Sequence, residues 1–162
     1  MPKHSLMKKI LFFFYFTVIS VIVLSQSKSI ERFRKAYKED QNLFFYSSTM
    51  KMLNTENEPV FGDLIKNIEK IMVLYYDKEK QHFKRQEIIQ LRHDLENENY
   101  VPLLMINENG STISLYKRDR KSKTVGFTAL VDNMQNLIII DAKGSIDFNK
   151  FMEIKDKIDL KL

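Results

Sequence analysis

The chain has 162 residues, with 26 Lys and Arg against 21 Asp and Glu, 44% hydrophobic residues and no cysteine. That length suits one domain with a core of its own, and the missing cysteine excludes disulfides, a lipidated-cysteine anchor and thiolate metal centres. Part of the basic excess sits at the N terminus. Without Lys3, Lys8 and Lys9 the balance is 23 to 21, too even to mark the whole chain as a nucleic-acid binder.

An apolar run of 15 residues, Ile10–Leu24, follows those lysines directly. As a helix it would rise ~22 Å, short of the ~30 Å of a bilayer core and at the upper end of a signal-peptide h-region. Val23 and Ser25 are small enough to flank a cut before Gln26. The expectation is a leader over 1–25, an exported domain over 26–162, and a location in the periplasm or cell envelope. The alternative is a retained single anchor over 10–24 in the inner membrane. It rests on the absence of Ala or Gly at the cut and on Lys28, Arg32, Arg34, Lys35 and Lys38 close behind the run, which blur the charge asymmetry that orients a span.

After the leader, Ile30, Phe33 and Tyr37 recur at helical spacing behind Ser29, which reads as an N-cap. NLFFYSS (42–48) reads as a strand, and TMKMLN after it as a helical turn. Pro59 opens a helix with Phe61, Leu64, Ile65 and Ile68 on one face. KIMVLYYD (70–77) is a compact apolar strand, and Glu79–Asn97 a longer helix turning Phe83, Ile88, Leu91 and Leu95 inward. The period then changes to two. YVPLLMI (100–106), TISLYKR (112–118), TVGFTALV (124–131) and LIIIDA (137–142) are four strands in succession, the first pair joined by Asn109-Gly110, a strong hairpin signal. Asp147 caps a last helix that buries Phe151, Ile154 and Ile158.

Helices early and a meander late predict a single α+β domain. It is an antiparallel meander of four C-terminal strands, plus one or two N-terminal strands, packed against helices. The helices at 60–69 and 79–97 are expected to cover one face of the meander from Val101 to Ala142.

The order of parts resembles domain-of-unknown-function family 4252, small exported proteins of Bacteroidetes-type bacteria. The residues that carry the resemblance are the Lys-rich leader ending in SQS, NLFFYSSTMKML, FGDLIKNIEKIMVLYY, YVPLLMINENGSTISLYKRD and TALVDNMQNLIIIDAKGSIDFNKF, roughly Ser27 to Ile158. The resemblance implies an exported, single-domain α+β protein of the cell envelope. It brings no catalytic residue to carry over. Some family members bear a lipoprotein cysteine after the leader, which this chain lacks.

Little in the chain points to reaction chemistry. His82 and His93 are eleven apart on the expected helix, ~16 Å along its axis, too far to share an ion. His93 and Glu96 have a ligating spacing with no further ligands in view. No nucleophile elbow, S-x-x-K, phosphate loop or dinucleotide fingerprint occurs, so no catalytic residue, metal ligand or cofactor is assigned. The runs Phe44-Phe45-Tyr46 and Tyr75-Tyr76 could stack sugars or bases, but neighbours on a strand face opposite ways, so one of each pair goes to the core. Met50, Met52, Met72, Met105, Met134 and Met152 read as core filler, and Asp141 and Asp147 as ordinary acids. One stretch stands out: YKRDRKSK places Lys117, Arg118, Arg120, Lys121 and Lys123 around a hairpin tip, offset only by Asp119. It is the candidate anion-binding site, for lipid head groups or acidic glycans, with the alternative that its charges protect strand edges. Nucleic acid is not expected as a partner, because an exported chain rarely meets it. The functional expectation is a non-enzymatic binding or scaffolding protein with an envelope partner. The competing class is an envelope hydrolase whose site assembles only in the fold.

Overall fold

A computed structural model describes residues 27–54, 59–82, 84–121 and 123–145. Helix α1 (Lys28–Ala36) leads into strand β1 (Gln41–Tyr46), helices α2 (Ser47–Leu53) and α3 (Pro59–Ile65), and strand β2 (Ile68–Asp77). A single turn, α4 (Lys78–Gln81), precedes helix α5 (Arg85–Asn97). Strands β3 (Tyr100–Glu108), β4 (Ser111–Arg120), β5 (Lys123–Asp132) and β6 (Asn136–Gly144) follow. All six strands form one antiparallel sheet in the order β1-β2-β6-β5-β4-β3. The meander is as expected, and β2 closes onto its last strand.

The sheet buries one face under α1 and α5. Met72, Leu74 and Tyr76 alternate inward along β2, beside Leu137 and Ile139 of β6, Leu130 of β5, Tyr116 of β4 and Tyr100 of β3. Ile30 and Phe33 of α1 and Ile88, Leu91 and Leu95 of α5 close over them. Their helical spacing is what makes each helix one-sided, and each such side chain contributes roughly 1.5–3 kcal/mol when fully buried. Phe33 meets Tyr76 edge to face at 5.4 Å and lies 4.9 Å from Tyr37.

Local chemistry fixes the ends of the elements. Asn109 and Gly110 both take positive φ (48° and 78°), as a two-residue hairpin turn of this hand requires. Asn133 Oδ1 accepts from the backbone N–H groups of Gln135 and Asn136, which closes the β5–β6 turn. Asp77 Oδ1 caps α4 through Glu79 and Lys80, and Glu87 reaches back to the Lys84 N–H at the start of α5.

Several expectations are corrected. The first cap is Ser27, whose Oγ accepts from the Ile30 N–H, while Ser29 turns its hydroxyl to Glu98. The 42–48 strand stops at Tyr46, because Ser47 already opens α2. The 79–97 helix is broken at His82, which takes the left-handed conformation, so His82 and His93 share no helix. The 60–69 helix ends at Ile65 and does not join α5 over the main core. Ile65 packs instead with Met50, Ile68, Phe45 and Ile71 in a second cluster. The reason is strand parity: Phe45 and Ile71 point to the face opposite Phe44 and Met72. Three methionines are not core filler. Met52, Met105 and Met134 are 76%, 52% and 75% exposed, lying on an outer helix, an edge strand and a turn. The helix expected after Asp147, with Phe151, Ile154, Ile158 and Met152, lies outside the described residues, as do the leader and Phe83.

Candidate functional site

The basic stretch is divided by the strand that carries it. β4 and β5 pair closely up to Arg118↔Gly126, and then the register shifts so that Asp119 faces Thr124 and Arg120 faces Lys123. Lys117 points away from α5 and its Nζ lies 2.9 Å from Asp119 Oδ2. Asp119 also accepts from Thr124 Oγ1 at 2.7 Å, and the two contacts hold its carboxyl below the ordinary range. Arg118 points to the helix-covered face, its guanidinium 5.1 Å from the centre of the Tyr100 ring. Only Arg120, Lys121 and Lys123 project from the tip, with Lys121 in the left-handed region at φ 49°. The five residues therefore make a three-cation tip, with Lys117 tied to Asp119 on the face away from α5 and Arg118 turned to the helix-covered face.

A second site went unread in the sequence. Asp141 sits on central strand β6, only 4% exposed, beneath the start of α1. Thr128 Oγ1 donates to its Oδ1 at 2.7 Å, and the Ser27 backbone N–H donates to the same carboxylate. Burial pushes its pKa up to about 6, opposed by these hydrogen bonds and by Arg118, and helped by Glu98. Burial likewise lifts neighbouring Tyr100 to about 12. Glu98, in the turn between α5 and β3, accepts from Ser27 Oγ (3.1 Å), the Lys28 N–H (2.9 Å) and Ser29 Oγ (2.6 Å). Two carboxyl groups thus hold the first turn of α1 onto the sheet.

A concavity lies at the other end of the sheet. It is an open cleft of about 760 Å³ between the start of α5, the β3–β4 turn and the β5–β6 turn, and Lys78, Arg85, Asn107, Asn109, Asp132 and Asn133 are among its lining. Asp132 is clamped between Lys78 and Arg92, Asn107 accepts from Thr112, and Asn133 is spent on its turn. No group of three His, Cys, Asp or Glu among the described residues is placed to hold a metal ion. No helix among them is long and apolar enough to cross a membrane. Of the aromatic runs, Phe44 packs on the core beneath the Lys70 ammonium, 4.5 Å from its ring centre, and Tyr46, with Lys70 5.7 Å from its ring, is 54% exposed. Tyr76 is buried, and Tyr75 donates to Asn136 Oδ1 at 2.6 Å.

Fold and site together define a single α+β domain in which a six-stranded antiparallel sheet is roofed on one face by two helices, with a buried carboxyl where the chain enters. A family profile described as Domain of unknown function (DUF4252) matches residues 37–154, and the chain belongs to that family. No curated protein matches the chain, and no solved structure matches it.

Proposed function

We propose that this is a non-enzymatic binding or scaffolding domain of the cell envelope, exported behind its N-terminal apolar segment. The observation that carries the non-enzymatic part is the separation of the lifted carboxyl Asp141 from the cleft at the other end of the sheet. Asp141 has the pKa of an acid–base group, yet it lies under α1 with its partners already in place and is absent from the cleft lining. The aspartate that does line the cleft, Asp132, is neutralised by Lys78 and Arg92. A hydrolase needs the lifted group and the space for substrate at one place.

Export is supported by Lys3, Lys8 and Lys9 ahead of the Ile10–Leu24 run and by the small residues Val23 and Ser25. Cell fractionation with intact-mass analysis tests it. The expected result is envelope-localised protein beginning at or near Gln26, with stoichiometric recovery of a partner from that fraction. A cytosolic chain refutes the placement. Hydrolysis of an ester, amide or glycoside substrate that disappears in Asp141→Asn refutes the non-enzymatic reading.

A further inference from the structure

We propose that the β4–β5 tip, at the end of the sheet where the chain enters α1, is a contact surface for anionic phospholipid head groups, formed by Arg120, Lys121 and Lys123. This rests on the envelope placement above. The topology brings these residues to one end. α1 starts there, with Ser27 against Asp141, and Asp141 is level with Thr128 of β5. From Thr128 the hairpin runs on for five residues to Lys123, roughly 16 Å. The β4–β5 tip therefore reaches well past the point at which the chain enters the domain.

Most of the described acids at this end are engaged, while Glu96, in the last turn of α5, is exposed with no ion pair among the described residues. Asp119 is held by Lys117, Glu69 by Lys143 and Asp63 by Lys66. Glu98 is occupied by α1, with Arg32 nearby, and Asp141 is buried. Among the described residues, none of Arg120, Lys121 and Lys123 forms an ion pair. At the opposite end Lys78, Lys80 and Arg92 are paired with Asp132, Asp40 and Asp77 and Arg85 shares the cleft with Glu79 and Glu108, while Lys38 and Lys84 are exposed with no ion pair among the described residues.

The partner follows from where the chain comes from and from shape. The apolar run ends at Leu24, three residues before Ser27, and three extended residues span at most about 10 Å. A bilayer holding that run is thus within reach of a tip that overshoots Ser27 by more than this span. If the leader is instead cut before Gln26, the new α-amino group, with a pKa of about 7.7–8.0, adds a positive charge next to Ser27. Both fates make this end more suited to an anionic membrane. A protruding hairpin suits a plane of point charges; an acidic glycan calls for a concave site with stacking rings, which the tip does not have.

The test is co-sedimentation of the chain as recovered from its envelope fraction, its N terminus fixed by intact mass. Vesicles of phosphatidylcholine with about 30% phosphatidylglycerol are compared with phosphatidylcholine alone. The readout is the increment due to the anionic lipid, so any baseline from a retained leader cancels. Charged residues near such a surface act through a potential screened over about 10 Å at 0.1 M salt, and further at lower salt. The expected increment is about a hundredfold in partition coefficient at low salt, falling steeply as salt rises. The variant R120E/K123E loses it, and K84E/R85E, with the same change in net charge at the opposite end, keeps it. Circular dichroism confirms that both variants are folded. Equal loss in the two variants, a salt-independent increment, or a soluble acidic polysaccharide that is bound while vesicles are not would each overturn the proposal. A cytosolic chain would sink the envelope reading and leave the vesicle result standing on its own.

Discussion

Asp141→Asn isolates the energetic consequence of burying a carboxyl group under α1. In the folded chain this group titrates at about 6, against about 3.9 for an unfolded aspartate. The folded state therefore binds the proton more tightly. Stability from this group is fully present below about pH 4 and is lost as pH rises through about 6. The gap between the folded and unfolded values is worth about 3 kcal/mol. The cause is burial, since only Thr128, the Ser27 N–H and Arg118 favour the charged form and Glu98 opposes it. Asparagine keeps an acceptor for Thr128 or Ser27 and removes the charge. Urea unfolding of both proteins from about pH 4 to 7.5 gives the difference in stability at each pH. Asp141→Asn is expected to gain on the native protein by up to about 3 kcal/mol across that range. Carboxylates held low, such as Glu39, contribute equally to both proteins and drop out of the difference. A difference constant to within about 0.5 kcal/mol, below the usual effect of a point substitution, would refute the reasoning. It would mean that Arg118 neutralises the carboxylate as fully as water does.

Other substitutions test other parts of the fold. At Gly144, with φ +127°, a Cβ would lie 2.2 Å from the Asn67 carbonyl oxygen and 2.8 Å from Ile68 Cα. Gly144→Ala should therefore cost more than about 3 kcal/mol by thermal or urea unfolding. Glu39 is held at about 2, chiefly by its hydrogen bond from Arg34, with Asn42 adding a second. Glu39→Gln should cost about 1–2 kcal/mol at pH 7, and the deficit should disappear as pH falls from about 4 to about 2, where the native carboxylate is lost too. Glu98→Ala removes three acceptor contacts from the first turn of α1. It should cost about 1.5–3 kcal/mol and raise amide hydrogen exchange in α1 selectively over β5 and β6.

The meander was legible because its signals are local. Asn109-Gly110 specifies a turn by the sterics of positive φ, and the polar turns between the later strands leave little choice of partner. The place of β2 was not legible, because its pairing with β6 joins residues more than sixty positions apart, as in Met72↔Asp141. Both strands are apolar on both faces, so neither period nor composition says which side each presents. The break at His82 was hidden for a related reason. The sequence from Glu79 to Asn97 keeps helical periodicity, and the turn from β2 into α5 is imposed by capping at Asp77 and Lys84.

The charged end of the sheet shows why the candidate site was only half readable. A run of basic residues advertises itself in sequence, but on a strand consecutive side chains go to opposite faces. The register shift at Arg118/Asp119 then decides which of them reach the tip. Arg118 is taken inward to Tyr100 and acts on Asp141; Lys117 is tied to Asp119. Asp141 had no such signal. In LIIIDA four apolar residues in a row precede the acid, so period alone leaves its face open, and its place on the covered face comes from pairing with Met72 and Thr128. What no local pattern contains is that the two features share one end. The carboxyl groups that hold α1 lie inside, the cations that project lie outside, and Arg118 stands between them.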